Sequence, residues 1–433
     1  MGCNGPGASA LNRGPGEDGP TMADTLLLIS RLCMMALGVC CAYQGLYALL
    51  TLMKKPKWNP GKGENRYAVL VCARNEEAVL PQLLESIRAQ DYPGGVDMYV
   101  AADNCTDGTA EAARQAGATV FERQNKQLVG KGYALDFLLK KIWALGKHYD
   151  GYFVFDADNL LRPDFVRRMD GVFGSECPVV TSYRNSKNYA GWIASGYALC
   201  FLREARYMNA PRMMLKTSCN VTGTGFVVSE EILKEAGGWP WHLLCEDLQF
   251  SVDQIRAGRR IGYCPQAEFF DEQPTDYAAS VKQRMRWCKG FLQVLGSRGG
   301  RMVKGALRGS WACADILLSY MPILLCTALS LCFAGLAALA AGSWSLLGLS
   351  VLQLIAGAYV SLLGMGILTG ITEWKNLRAT TAQKLASLVT FPLFMATCLP
   401  VGLMACFKKV EWAPIRHSAA VSIRQVAGTE KAA

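Results

Sequence analysis

Two aspartates stand at the end of a strongly apolar run, Phe-Val-Phe-Asp-Ala-Asp-Asn, in which one residue separates Asp156 from Asp158. In extended chain, residues two positions apart point to the same side. The two carboxylates are therefore able to share one hard cation, such as Mg²⁺ or Mn²⁺, together with the phosphate ligands of that cation. Asp and Asn also close ordinary turns. The pair alone fits either a metal site or a turn.

The surrounding segments favour the metal site. From Arg66 onward, short apolar segments alternate with helix-like segments, which predicts an α/β domain with a mainly parallel sheet. Ligands of such sheets bind beyond the carboxyl ends of the strands. Polar residues stand at the ends of three predicted strands at that edge: Arg74, Asn75 and Glu76 after YAVLVCA, Asp103 and Asn104 after VDMYVAA, and the Asp156/Asp158 pair at the end of GYFVFDA.

Other polar positions lie where helices or turns are predicted to begin. Lys131, between two glycines at a helix start, suits a nearby phosphate, and the carboxylate of Asp103 suits a nucleobase imide or a ribose hydroxyl. Glu246 and Asp247 open a predicted helix, where acidic side chains complement the helix dipole or accept a proton from an attacking hydroxyl. A Gly-Thr-Gly turn before an apolar strand allows close approach of a sugar, or is a plain loop: Gly223, Thr224, Gly225.

A further helix-like segment, Gln-Arg-Met-Arg-Trp, carries an amide, a guanidinium and an indole. Gln283, Arg286 and Trp287 are spaced i, i+3 and i+4, so they share one helix face. A guanidinium is able to neutralise a diphosphate leaving group, and an indole offers a flat surface to a sugar ring. An amphipathic helix at a membrane surface is the other interpretation of the same spacing.

Taken in order, these segments resemble the family 2 glycosyltransferases of the GT-A fold. The resemblance is to the membrane-integrated branch with a QxxRW motif, which includes cellulose, hyaluronan and poly-N-acetylglucosamine synthases and some glucosyl-diacylglycerol synthases. The family's DxD motif matches Asp156 and Asp158, and its TED motif matches residues 245–247, with Cys245 in the place of the usual Thr. The QxxRW motif matches Gln283, Arg286 and Trp287.

The resemblance implies a metal-dependent, inverting transfer of a sugar from a UDP-sugar to an acceptor hydroxyl, with a β linkage in the product. It implies Asp247 as the general base and Mg²⁺ or Mn²⁺ on Asp156 and Asp158. It further implies two sets of binding residues. The nucleotide-sugar set is Ala73, Arg74, Glu76, Asp103, Lys131 and Asp156, and the acceptor or leaving-group set is Glu246, Gln283, Arg286, Trp287, Gly223, Thr224 and Gly225.

Four apolar segments predict an integral membrane protein. Each is about as long as a bilayer is thick, and prolines at 392 and 400 interrupt the last one. Lysines directly after the first segment place the following domain in the cytoplasm by the positive-inside rule. We expect a disordered tail (1–22), a first transmembrane helix (23–54), a GT-A domain (65–297), an interfacial helix (298–314), a C-terminal membrane region with two spans plus one span or a re-entrant pair (315–407), and a polar tail (408–433).

Composition agrees with this organisation. Hydrophobic residues make up 51% of the chain and charged residues 18%, which is richer in apolar residues than most soluble enzymes. Seventeen cysteines without a CxxC pair favour reduced packing thiols over disulfides or zinc. The formal charge of +10 suits a membrane surface or an anionic substrate, whereas the chain has no stacked aromatic-basic pattern for nucleic acid. We therefore expect a plasma-membrane protein that contacts a UDP-sugar, a glycan or lipid acceptor, and membrane lipids.

Three alternatives stay open at this level. A single glycosylation of a lipid acceptor, diacylglycerol or polyprenyl phosphate, competes with processive polymer synthesis, because the polymer-threading synthases generally have more spans. A sugar-nucleotide nucleotidyltransferase would also have an α/β sheet and a metal-binding aspartate, but its Gly-rich loop after the first strand is replaced by Cys-Ala-Arg-Asn-Glu. A transport or scaffold protein with an inactive transferase domain is the third.

Overall fold

The computed structural model describes residues 20–54, 58–412, 417 and 419–427. Nearly all of the N-terminal tail predicted at 1–22, and the lysines at 55 and 57, lie outside the described residues. The chain divides into two compact units: Met1–Cys41 with Tyr320–Ala356, and Ala42–Ser319 with Gly357–Ala433. The second unit contains every candidate site residue.

One mixed sheet forms the centre of the second unit. Its strands are β1 (Tyr67–Ala73), β2 (Val96–Asp103), β3 (Thr119–Arg123), β4 (Gly151–Asp156), β5 (Leu160–Leu161), β6 (Val179–Ser186), β7 (Phe226–Ser229) and β8 (Ile261–Asp271). They are ordered β3-β2-β1-β4-β7-β6-β8-β5. The first four are parallel, which confirms the predicted parallel sheet for this half. β7 is antiparallel to β4 and β6, because the chain enters β7 at the edge where β4 ends and runs back along it.

Helices cover the sheet and follow most of its strands. Helix α1 (Met22–Met53) precedes the first strand. The helices of the domain are α2 (Leu80–Arg88), α3 (Thr109–Gln115), α4 (Lys131–Ala144), α5 (Phe165–Asp170), α6 (Gly191–Glu204), a π-helix (Ala205–Asn209), α7 (Ala210–Met214), α8 (Glu230–Glu235), α9 (Glu246–Arg256) and α10 (Tyr277–Leu307). In α2, Leu80, Leu83, Leu84 and Ile87 are buried, and their spacing forms the single apolar stripe that docks an amphipathic helix on a sheet. Because β1 lies between β2 and β4 and is covered by helices, it is almost wholly buried and reads as an unbroken apolar run.

Four apolar segments are long enough to cross a membrane, as the sequence predicts. Three are single helices: α1, α11 (Trp311–Ala340) and α12 (Trp344–Thr372). The fourth is divided into α13 (Thr381–Ala396) and α14 (Cys398–Phe407). The break falls four residues before Pro400, where a proline ring clashes with the helical carbonyl of residue 396. α13 packs on α6 and α14 packs on α10.

The segment predicted as an interfacial helix at 298–314 is not a helix of its own. Its first part forms the last three turns of α10, and α11 begins at Trp311. Gly309, with φ of +92°, ends α10 in the left-handed conformation that commonly terminates helices. The amphipathic pattern of this segment is therefore carried by the end of the helix that also bears the QxxRW residues.

Candidate active site

The polar residues predicted at the strand ends meet at one edge of the sheet. β1 pairs with β2 on one side and with β4 on the other, so Ala73, Asp103 and Asp156 end neighbouring strands. Directly after these strands, Asn75 and Asn104 adopt positive φ values of 57° and 54°, which Asn tolerates better than most residues. The side-chain Oδ1 of Asn75 accepts a 2.8 Å hydrogen bond from the Thr106 backbone amide, which joins the two loops.

Asp103 is buried at the end of β2. Its Oδ1 accepts hydrogen bonds from Arg123 Nη1 at 2.5 Å and from Asn104 Nδ2 at 3.0 Å. Arg123 also donates to the carbonyl of Leu128 at 2.6 Å. The carboxylate predicted to bind the nucleoside is thus held in place by a buried ion pair with the neighbouring strand.

Asp156 is bound to the start of α4. Lys131, the first residue of that helix, donates to Asp156 Oδ1 and, at 2.6 Å, to the carbonyl oxygen of Gly223. Burial disfavours ionisation of Asp156, but the ammonium of Lys131 outweighs this and holds the pKa of the carboxyl below its ordinary value. Asp156 is therefore ionised at neutral pH, and the ionised carboxylate is the form that binds a cation.

Asp158 lies in a turn rather than in extended chain, so the two-residue spacing argument was wrong in detail. The Asn159 amide donates to the Asp156 carbonyl at 3.1 Å and closes that turn. Asp158 is 4% exposed and its Oδ2 accepts a 2.7 Å hydrogen bond from the Glu272 amide. The charges of Asp156 and Asp158 both raise the pKa of Arg184 in β6. The residues proposed to bind the metal therefore lie in a turn, so the two interpretations of the Asp156/Asp158 pair do not exclude each other.

The Gly-Thr-Gly turn is hydrogen-bonded to the segment that carries the two aspartates. Thr224 Oγ1 accepts a 2.9 Å hydrogen bond from the Asp156 amide and donates to Asn159 Oδ1. Gly223 and Gly225 have positive φ, and a β-carbon on Gly225 would overlap the ring of Phe269. A β-carbon on Gly223 would lie 3.5 Å from Asp247 Oδ2, so this glycine brings backbone close to the predicted base.

Glu246 and Asp247 are the first two residues of α9, as predicted. Burial raises the pKa of both carboxyls, and their mutual repulsion adds to the shift of Glu246. Arg286 and Lys131 oppose these shifts. Cys245, in the place of the expected Thr, gives no side-chain cap to α9, and its sulfur packs against Gly290 of α10 instead. Glu246 is buried and Asp247 is half-buried, and the charges of Arg286 and Lys131 act on both carboxyls.

The QxxRW residues lie in the first half of α10. Arg286 Nη1 donates to the carbonyl of Leu244 at 3.3 Å, one residue before the Cys245–Glu246–Asp247 segment. Gln283 Oε1 is buried and has no hydrogen-bond partner among the described residues. Trp287 packs edge-on against Tyr197 and Phe201 of α6, with ring centroids 5.8 and 6.4 Å away. One side of the indole is therefore engaged in packing.

The structure adds residues that no motif indicated. Arg184 of β6 forms an ion pair with Asp271, with Nε 2.7 Å from Oδ2. Lys187, just beyond β6, has its buried Nζ without a hydrogen-bond partner in the described part of the chain. Burial lowers the pKa of Lys187, and the charges of Asp158 and Glu272 oppose that shift. Basic residues at a strand end were a visible signal, but nothing local tied them to this pocket.

Described residues of the polar tail also reach the site. His417 Nδ1 lies 2.9 Å from Glu76 Oε1, and the Trp412 ring lies 5.5 Å from the Arg74 guanidinium carbon. Burial lowers the pKa of His417, but Asp158 and the hydrogen bond to Glu76 outweigh it and raise the pKa to about 10. Two residues predicted to bind the nucleotide are thus in contact with the chain's own C-terminal segment.

A divalent cation fits Asp156 and Asp158 only with help from a second molecule. Among the residues that the structure describes, no group of three or more His, Cys, Asp or Glu side chains is arranged to hold a metal ion. The two carboxylates offer the hard oxygen donors that Mg²⁺ and Mn²⁺ prefer. Further ligands have to come from water or from a substrate such as a diphosphate.

The sequence over this domain matches a known protein family. Residues 65–290, slightly more than half of the chain, match the family described as "Glycosyltransferase like family 2". The chain belongs to glycosyltransferase family 2. The strand-end aspartates, the Glu246–Asp247 pair and the α10 face all lie inside the matched region.

Curated relatives of this family 2 chain are distant. "Probable glycosyltransferase YdaM" of Bacillus subtilis is 25% identical over 254 residues, which cover 55% of this chain and 59% of that protein. The beta-monoglucosyldiacylglycerol synthase of Synechocystis is 25% identical over 233 residues, covering 52% and 47%. The chain thus spans about half the length of the curated relatives it matches.

The glycosyltransferase fold is also found in a solved structure that covers most of the chain. The mannosyltransferase PcManGT from Pyrobaculum calidifontis, in complex with GDP-Man and Mn²⁺, superimposes with a TM-score of 0.56 at 18% identity. The match covers 87% of this chain and 99% of that one. At this identity the likeness shows the shared fold, a GT-A sheet with associated helices.

Proposed function

We propose that this protein is a membrane-bound, inverting hexosyltransferase that moves a sugar from a UDP-sugar to an acceptor hydroxyl and forms a β linkage. The observation that carries the proposal is the meeting of Lys131, Asp156, Gly223 and Asp247. Lys131 contacts both Asp156 and Gly223, and the backbone of Gly223 adjoins Asp247. Lys131, which we propose binds the diphosphate, and Asp247, the candidate base, thus both adjoin Gly223.

The general base in this proposal is Asp247. It removes the proton of the acceptor hydroxyl while that oxygen attacks the anomeric carbon of the donor, and the bond from that carbon to UDP breaks in the same displacement. Burial beside Glu246 raises the pKa of Asp247, which makes the carboxylate a stronger base than an exposed one. Arg286, which faces the same acidic pair, is suited to the charge that develops on the leaving diphosphate.

The nucleotide is held at the strand-end edge by Ala73, Arg74, Glu76, Asp103 and Lys131. Mg²⁺ or Mn²⁺ on Asp156 and Asp158 would neutralise negative charge on the diphosphate. Gln283 and Trp287 face the acceptor, together with Glu246 and the Gly223–Gly225 turn. The mannosyltransferase with the shared fold was solved with a nucleotide-sugar and Mn²⁺, which supports this division of roles.

We favour a lipid acceptor over a growing polymer. The relatives named beta-monoglucosyldiacylglycerol synthase support a lipid product. The broken α13–α14 segment leaves three unbroken apolar helices, α1, α11 and α12, within the described residues, few for a polymer-conducting path. Lys54 after α1 supports a cytoplasmic catalytic domain by the positive-inside rule, and we assign the protein to the plasma membrane.

The test is an assay of isolated membranes with labelled UDP-sugars and GDP-mannose, separating lipid-extractable from polymeric product. We expect release of UDP and a labelled, chloroform-soluble glycolipid. Label found only in polymer would refute the lipid acceptor, and pyrophosphate release without sugar transfer would support a nucleotidyltransferase. No turnover of any nucleotide-sugar by folded protein would support an inactive scaffold.

A further inference from the structure

The end of α10 is fixed to the membrane region through its buried face. Met302 is 2% exposed. A β-carbon on Gly305 would lie 2.7 Å from the sulfur of Cys313 in α11, so the two helices touch at a glycine. Trp311 Nε1, at the start of α11, donates to the Tyr47 hydroxyl at 2.8 Å. The last turns of α10 therefore lie beside the first turns of α11, which in turn contact the C-terminal part of α1. Both α1 and α11 are long enough to span a bilayer.

The opposite face of these turns is exposed and divided in two. At 100° per residue, Arg301, Lys304 and Arg308 fall within an arc of about 60°, and all three are exposed. Val303 and Leu307 form the adjoining strip and are 40% and 83% exposed. Cations on one side and large apolar residues on the other are typical of a helix that lies in the lipid interface.

An anionic lipid surface matches this face better than an acidic protein or a nucleic acid. The three cations complement phospholipid phosphates, and Leu307 needs an apolar environment that nucleic acid lacks. Trp311 follows directly and is 44% exposed, at the position where tryptophans line membrane interfaces. The face is also continuous with α11, so the lipid that surrounds α11 is within reach of the cations.

We propose that the exposed face of residues 301–308 docks on anionic phospholipid headgroups, and that this docking positions Arg286 for transfer. α10 is one unbroken helix from Tyr277 to Leu307, so Arg286 and Arg301 lie on a single rod, about 22 Å apart along its axis. A shift at the lipid end moves the guanidinium that faces Glu246 and Asp247. The coupling to transfer rests on the proposed function, whereas the docking does not.

The experiment uses the full-length protein in vesicles of phosphatidylcholine, with or without phosphatidylglycerol. We expect anionic lipid to raise the transfer rate about fivefold or more, since each cation near an anionic surface strengthens the contact. Added salt should remove the stimulation by screening.

The triple variant R301Q/K304Q/R308Q should lose the stimulation and keep the rate seen in neutral vesicles. The variant R114Q/K141Q/K147Q changes the charge equally at exposed sites on α3, α4 and the loop after α4, and it should respond like the wild type.

A second readout separates failure of the docking from failure of the proposed function. Hydrogen exchange of the amides at 298–308 should slow in anionic vesicles relative to neutral ones, in the wild type and not in the triple variant. This holds even if no nucleotide-sugar is turned over. Equal protection in both vesicles, or equal stimulation of the wild type and the triple variant, would overturn the proposal. If the triple variant does not fold, stimulation of the wild type that persists at high salt overturns it.

Discussion

The ammonium group of Lys131 is paired with the carboxylate of Asp156, and the same group donates to the carbonyl oxygen of Gly223. This contact joins the start of α4, the end of β4 and the turn that precedes β7. It places a cation where the proposed function puts a diphosphate. It also keeps Asp156 ionised despite its burial.

Lys131→Met should weaken both the fold and donor binding. The change leaves Asp156 without its cation, and loss of a hydrogen bond between charged groups costs about 1–3 kcal/mol. We expect a lower thermal unfolding midpoint and a raised KM for the nucleotide-sugar, with Lys131→Arg retaining most of the stability. A variant as stable as the wild type, with unchanged KM, would show that the contact contributes neither.

Removal of divalent cations should abolish transfer. Treatment with EDTA followed by gel filtration should leave folded, inactive protein, and Mg²⁺ or Mn²⁺ should restore activity. Asp158→Asn should raise the metal concentration needed for half-maximal rate. Full activity in metal-free buffer would rule out a cation on Asp156 and Asp158.

Arg286→Ala should slow transfer more than Trp287→Phe. The charge of Arg286 acts on Glu246 and Asp247, so its removal takes away a charged group near the proposed reaction and should cost roughly 10²–10³ in rate. Trp287→Phe keeps an aromatic ring against Tyr197 and Phe201, and it should cost about tenfold or less. Equal losses in kcat would indicate that this part of α10 is only structural.

The acidic pair should make stability depend on pH. Because burial and mutual repulsion raise the pKa of Glu246 and burial raises that of Asp247, the folded protein binds protons more tightly there than the unfolded chain. This favours folding at acid pH, and the contribution is lost as pH rises through the raised pKa values. Glu246→Gln removes one ionisable group, so its free energy of unfolding should exceed that of the wild type at mildly alkaline pH, by about 1.4 kcal/mol per unit of pKa shift. The two free energies, measured by denaturant unfolding, should converge in acid, and a constant difference at all pH values would contradict the shift.

The elements that carry the site were predictable from local sequence, because each is a short segment with its own pattern. β1 and β4 are unbroken apolar runs followed by polar residues, and α9 opens on two carboxylates. The direction of β7 was not predictable, since it depends on where the chain turns after Gly223. The boundary of α10 was also missed, because its amphipathic end resembles a separate helix.

Contacts between residues far apart in the chain could not be predicted from local sequence patterns. His417 and Glu76 are 341 positions apart, and no periodicity connects them. Arg184 and Lys187 follow a predicted strand, but only the sheet order brings β6 and β8 to the same pocket as Asp158. The sequence therefore indicated motif residues that the structure brings to one edge of the sheet, and it gave no sign of the charged residues around them.

The central claim is that Asp247 is the base for sugar transfer, and the most direct test compares Asp247→Asn with Glu246→Gln. Both changes keep size and remove one buried charge from the same helix turn. We expect Asp247→Asn to bind the UDP-sugar with unchanged affinity while kcat falls by roughly 10²–10⁴, the range for loss of general-base catalysis, and Glu246→Gln to lose far less. An inactive Glu246→Gln beside an active Asp247→Asn would contradict the account and assign the base to the other carboxylate.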